Sequence, residues 1–239
     1  MMTPRRRRAA GTAVAVAAIT AAIPATAAAD HSWGGYHWSR TQAPLALTLV
    51  DSVDASWDAS LATASTDWSA SSVLDTTVVP GALDAKTRRR CPMVAGKVRV
   101  CDWAYGYNGW LGLASIQVSS SGHITQATTK LNDSYHASAP YSQAKWRNHV
   151  MCQEVGHTFG LGHQDESGAD LGTCMDYSTD PVNSQHPNQH DFDQLELIYQ
   201  HLDGTGSAAA TPPSTGRGLE RVRDDLWAER LGNGDRVFH

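Results

Sequence analysis

Residues 153–165 of the chain read QEVGHTFGLGHQD, and their types and spacing are those of a reactive centre. On a helix, residues four apart project from one face, offset by only about 40°. Gln153 and His157 therefore point together, and Glu154 lies one step round, beside whatever they hold. Gly160 can take the left-handed conformation that ends a helix, which turns the chain sharply and returns His163 toward the same point. Two imidazoles, one amide and one carboxylate are thus expected around a common centre. The chemistry in question is that of a metal, and it turns on whether Gln153 helps to hold one.

Such a set needs a helix to carry it and a sheet to support the helix. Pro140 and Ser142 read as a helix start with Ser142 as N-cap, and the spacing of Ala144, Trp146, Val150 and Val155 carries that helix to about Phe159. Upstream, PLALTLVDSV (44–53), SVLDTTVVPG (72–81), KVRVCDWAY (97–105) and HITQATTKLN (123–132) read as strands. Trp57, Leu61, Ala64 and Trp68 mark an amphipathic helix over 54–68. A glycine and aromatic loop over 106–112 leads into LASIQV (113–118), a short strand at the sheet edge. After a loop with few regular signals come CMDY (174–177) and a last helix over about 191–201, with Phe192, Leu195, Ile198, Tyr199 and Leu202 on its apolar side.

The ends of the chain read differently. Arginines 5–8, an apolar run over 9–23 and the A-x-A of Ala27 and Ala29 form an export signal ending before Asp30. The apolar run is too short and alanine-rich to span a membrane, and the export route stays open between the twin-arginine and general paths. Losing those four arginines leaves 15 basic against 24 acidic residues, a balance of −9. An acidic protein lacks the basic face that nucleic acid or an anionic membrane would require. The expected organisation is a signal peptide over 1–29, a short segment over 30–42, one domain over 43–203, a Ser/Pro/Gly-rich linker over 204–218 and a tail over 219–239, in a monomer. The tail reads either as one amphipathic helix, which is preferred, or as two strands around Gly232-Asn233-Gly234. Four cysteines in an exported chain favour disulfides, and local spacing suggests Cys91–Cys101 and Cys152–Cys174. A four-cysteine zinc site is the rival, but paired C-x-x-C spacing is missing.

With Gln153, Glu154, His157, Gly160 and His163 in frame and Met175 downstream in TCMDY, the chain resembles the metzincin zinc endopeptidases. Their motif is H-E-x-x-H-x-x-G-x-x-H, followed by a methionine-containing turn. Glutamine at the first position is similar to the gametolysin-type subgroup. The resemblance is dense over residues 140–201, and the element order from residue 43 is compatible with it. It implies a zincin-like metallopeptidase domain of the α+β or α/β class, with a twisted, mixed, mostly parallel sheet, an active-site helix and a smaller C-terminal subdomain. It further implies zinc held by His157, His163 and the side-chain oxygen of Gln153, with Glu154 as general base and then general acid. Met175 would form a hydrophobic floor, and Tyr177 resembles a tyrosine that some members place beside the metal, where it can hydrogen-bond an oxyanion. A peptide or protein substrate would pair through its main chain with the edge strand around residues 114–118. Because Cys152 and Cys174 immediately precede Gln153 and Met175, their disulfide would pin the helix to the turn, closing a loop of about 22 residues worth roughly 3 kcal/mol. The implied function is a secreted zinc-dependent endopeptidase. The alternative is a catalytically degenerate exported domain that keeps the fold for binding.

Other residues have plainer readings. His149 lies one turn before Gln153, and a rise of about 6 Å per four residues makes a metal shared with His157 awkward, so a surface or supporting role is expected. Asp165 would orient or ligate His163 or serve as an ordinary loop carboxylate, and Asp176 would be structural within its turn. His31 and His37 are expected exposed in a flexible segment. His186, His190 and Asp191 fit the approach and cap of the last helix. Trp103 and Trp110 read as core or loop anchors, and residues 109–113 could border a cleft.

Overall fold

The computed structural model describes residues 31–204, 217–223, 226–231 and 235–238. The expected signal peptide and residues 205–216 of the linker lie outside the described residues. In chain order the elements are β1 (His37–Trp38), β2 (Leu45–Ser52), α1 (Asp58–Trp68), β3 (Leu74–Pro80), α2 (Ala85–Arg90), β4 (Lys97–Trp103), β5 (Gly112–Val118), β6 (His123–Asn132), α3 (Asp133–His136), α4 (Ala144–His157), α5 (Gln189–Ile198), β7 (Arg217–Arg223), β8 (Leu226–Arg230) and β9 (Arg236–Phe238).

Parallel neighbours need a crossover, and α1 supplies the one from β2 to β3. Strand β2 pairs in parallel with β3 and β4, and β6 pairs in parallel with β4 and, at its start, with β1. Strand β5 runs antiparallel beside β6. The main domain is therefore a mixed, mostly parallel sheet, as expected, with order β3-β2-β4-β6-β5. Helix α1 buries Trp57, Leu61, Ala64 and Trp68 against β3 and α4, at the 4-3-4 spacing of one helix face. Helix α4 packs against β5, β6 and α1, and all of residues 149–157 are buried, so its polar groups must find partners inside the protein. Between α4 and residue 204 the chain is irregular apart from α5, the smaller C-terminal part that was expected.

Several local expectations change. Helix α4 starts at Ala144 with Gln143 in the N-cap position rather than Ser142, whose own N–H still bonds Ser138 in the preceding turn. Helix α5 starts two residues early because Asn188 and Asp191 form a reciprocal capping box. Helix α2 was not expected, and Asp84 starts it by accepting the N–H groups of Lys86 and Thr87.

The two ends of the described chain differ most from expectation. The N-terminal segment is docked on the domain rather than exposed: His31, Trp33 and Trp38 are 5%, 3% and 1% exposed. The Trp33 N–H bonds the Gly160 carbonyl, the Gly162 N–H bonds the His31 carbonyl, and the Trp38 indole N–H bonds the Thr158 carbonyl at 2.8 Å. Large aromatic groups and these main-chain bonds outweigh the mobility that a short glycine-bearing segment suggests. The tail forms strands rather than the preferred helix. Strands β7, β8 and β9 make an antiparallel run, and β9 joins β5 with Ile116 opposite Phe238, Gln117 opposite Val237 and Val118 opposite Arg236. Phe238 is fully buried against Tyr36. Strand β9 thereby covers the Ile116–Val118 part of the β5 edge.

Disulfides join Cys91 to Cys101 and Cys152 to Cys174, so the four-cysteine metal reading is set aside. Among the described residues, no helix is long and apolar enough to cross a membrane.

Candidate metal centre

The last turns of α4 carry Gln153, Glu154 and His157 beneath the start of β5. Gly160 then takes φ +98°, ending the helix in the left-handed region. A side chain there is doubly excluded, because a Cβ would sit 2.0 Å from the Tyr36 carbonyl oxygen. The reversal brings the His163 ring to 4.6 Å from that of His157, centroid to centroid, at an interplanar angle of 84°.

Proton placement in these rings follows from their neighbours. His157 Nδ1 faces the Leu161 carbonyl at 2.9 Å, and His163 Nδ1 faces the Glu166 carboxylate at 3.3 Å. Both partners accept, so in the neutral rings each Nδ1 carries the hydrogen. Each Nε2 then presents a lone pair, and the two Nε2 atoms lie 3.0 Å apart. Two lone pairs aimed at one point repel each other, and a cation set between them converts that repulsion into ligation. Donation through the outer nitrogen to a carbonyl and a carboxylate is also how metal-bound imidazoles are held. Asp165 does not play that part: it accepts from Ser167 and Ala169 within its own loop, and Glu166 takes the outer nitrogen of His163 instead.

Gln153 is fixed by its amide nitrogen. Nε2 donates to the carbonyls of Cys174 and Asp176, each at 3.0 Å. Both N–H groups are thereby engaged with the turn that carries Met175, and only Oε1 is left to meet a cation. The donor set of two imidazoles, one amide oxygen and a neighbouring carboxylate suits zinc, although the amide is the weakest member. The Cys152–Cys174 disulfide, with Cα atoms 5.9 Å apart, ties the same two segments together.

Glu154 is almost enclosed. Burial pushes its carboxyl up to about 8, opposed by a hydrogen bond from the Ala114 N–H. Gly112 lies directly on it, since a Cβ there would meet Glu154 Cγ at 2.5 Å and Val150 Cγ1 at 2.7 Å. Met175 is fully buried, and its sulfur would be 2.7 Å from a Cβ on Gly156, so it packs tightly against the helix. Tyr177 is 41% exposed with its ring 4.2 Å from that of His163. Trp33 stacks on the His157 ring at 4.7 Å and 6°.

A cleft of about 730 Å³ opens over these residues. Residues 109–114 form one wall, including Trp110, and the other carries Tyr141, Trp146, His149 and residues 177–179. His149 is buried rather than on the surface, and its Nδ1 bonds the Ser184 carbonyl. Asp176 has its predicted structural role, accepting the Leu171 N–H. Sequence reasoning did not single out Gly112, Gly156, Trp33 or Glu166. The first sits between Leu111 and Leu113 at the end of the glycine and aromatic loop, and the others have no local signal.

No family model matches the chain, and no curated protein matches it. Two of the solved structures similar to it are chains of known name. One, myroilysin, is 10% identical over 68% of this chain and 96% of its own, with a TM-score of 0.40. The other is high choriolytic enzyme 1, a hatching-enzyme zinc-protease from the medaka Oryzias latipes, 8% identical over 69% of this chain and 94% of its own, with a TM-score of 0.38. At such identities and scores neither likeness bears on what this chain does.

Proposed function

We propose that the chain is a secreted zinc-dependent endopeptidase of the gametolysin-like metzincin type. The observation that carries this reading is the convergence of His157 Nε2 and His163 Nε2 on one point, beside Glu154 and at the wall of an open cleft. The sequence motif and the Met175 turn support it. The predicted signal and the two disulfides support secretion.

His157, His163 and Gln153 Oε1 would hold the metal. Bound there, zinc supplies Lewis acidity, lowering the pKa of a water to about 7 and polarising the scissile carbonyl. Glu154 accepts the proton of the attacking water at its carboxylate and passes it to the leaving amine. A cation beside Glu154 favours the ionised form that this step needs, against the burial that disfavours it. Ala114 holds the carboxylate in place, and the Tyr177 hydroxyl stabilises the oxyanion. The substrate lies in an extended conformation along β5. The pairing expected over 114–118 is shortened, because β9 occupies Ile116–Val118.

The test combines zinc counting with peptide cleavage. Mature protein is expected to take up zinc and to cleave a peptide library, and Glu154→Ala is expected to keep the zinc and lose at least about 10²-fold in kcat/KM. A chain that binds zinc and cleaves no peptide is the non-catalytic binding domain. One that takes up no zinc is not an enzyme of this type.

A further inference from the structure

A second group of imidazoles, none of which lines the cleft, gathers around Asp203, and nothing in the proposed function uses it. His37 in β1, His123 at the start of β6, and His201 and Asp203 just after α5 come from three parts of the chain remote in sequence. Each histidine turns its Nε2 toward the same atom, Asp203 Oδ1, at 3.8 Å from His37, 3.2 Å from His123 and 3.4 Å from His201. The donor atoms of His37, His201 and Asp203 all lie within 4.8 Å of one another. In a tetrahedral zinc site with ligands at about 2.0–2.1 Å, neighbouring donors are roughly 3.3 Å apart, close to the 3.2–3.8 Å between each imidazole nitrogen and Asp203 Oδ1.

The surroundings of these side chains fit ligation better than an ordinary ion-pair cluster. His37 Nδ1 bonds the Gly35 carbonyl at 2.9 Å, which puts its hydrogen there and leaves Nε2 as the lone-pair atom. That Nε2 is buried and has no hydrogen-bond partner. Asp203 is oriented by its other oxygen, Oδ2, which accepts the Arg40 N–H at 2.8 Å. Arg40 in turn holds the chain after α5 by donating to the Tyr199 and His201 carbonyls. The rings of His37 and His123, and of His37 and His201, meet edge to face at 5.0 and 4.9 Å, as imidazoles converging on one ion do. An orphaned nitrogen and a carboxylate oxygen shared by three imidazoles are both satisfied by a divalent cation.

We propose that His37, His123, His201 and Asp203 form a second zinc site, separate from the candidate centre on α4. With four protein ligands it has no open position, so its role is structural. It would clamp β1 to β6 and to the end of α5, and thereby hold the segment whose Trp33 covers His157.

Zinc counting separates the two sites. Full-length mature protein carrying His157→Ala and His163→Ala, saturated with zinc sulfate and desalted, is expected to retain one zinc per chain. Adding His201→Gln, a half-exposed position, is expected to remove it and to abolish the rise in melting temperature on zinc addition. If the double variant does not fold, the parent chain gives the same reading, two zinc ions falling to one with His201→Gln. A parent chain holding one zinc that His201→Gln leaves in place overturns the second site and spares the first. Retention of zinc by the double variant with the α4 ligands gone supports the second site whatever becomes of the endopeptidase reading.

Discussion

Gly112 shows how closely the proposed chemistry depends on a residue with no side chain. Its position over Glu154 leaves no room for a methyl group, and the same strand supplies the Ala114 N–H that holds the carboxylate. Gly112→Ala is expected to push Glu154 aside and lower kcat/KM on the order of 10²-fold with zinc content unchanged, because small misplacements of catalytic groups cost that much. Equal activity in the variant would place the proton transfer elsewhere. Gln153→His is expected to tighten zinc at neutral pH and to release it on mild acidification, since imidazole titrates near pH 6.5 and an amide does not; equilibrium dialysis at two pH values reads both effects, and unchanged affinity removes Gln153 from the metal. The donor residues were legible because helix spacing is a local rule, as is the left-handed turn at Gly160. Gly112 and Glu166 were not. The first acts across a strand-to-helix contact, and the second competes with Asp165, one residue away and equal in charge, through loop geometry alone.

At the scale of elements, strong apolar runs such as those of β2 and β6 and the periodic face of α1 were readable, with boundaries moved by caps. Helix α2 was hidden because AKTRRR has no apolar face and rests on its Asp84 cap. The tail misled for a different reason: LERVRDDLWAERL fits more than one periodicity, and what decides is the open edge of β5, to which β9 pairs. Ending the chain at residue 204 should therefore leave Ile116–Val118 unpaired beside the site. Such a chain is expected to self-associate at concentrations where the full chain does not, as read by light scattering. If it stays monomeric, the tail does not protect the edge.

For the molecule as a whole, charge and cysteine count pointed to an acidic exported domain, and two disulfides are present, but long-range convergence had no local trace. His37 looked exposed because its partners lie in β6 and after α5. One buried imidazole gives a global prediction. His136 is held below the ordinary histidine value by burial, with the nearby Arg147 charge acting the same way. Its folded pKa is below its unfolded value near 6.5, so unfolding takes up a proton in acid. The stability it allows is complete above about pH 6.5 and is lost as the pH falls through the folded value. In metal-free protein, His136→Asn is expected to flatten the fall in melting temperature on acidification relative to the parent chain, and parallel curves would show that His136 does not titrate on unfolding.

The segment that covers the candidate centre also sets an order in time. Trp38 meets Thr158 across 120 residues and His31 meets Asp191 across 160, so these contacts close long loops. Loops of that span form late, after the local helices and hairpins are in place. The early-synthesised segment around Trp33 and Trp38 must wait for nearly the whole remainder before it can dock. Helix α4 can carry its histidines well before Trp33 lies against His157, and the finished candidate centre belongs to the last stage of folding.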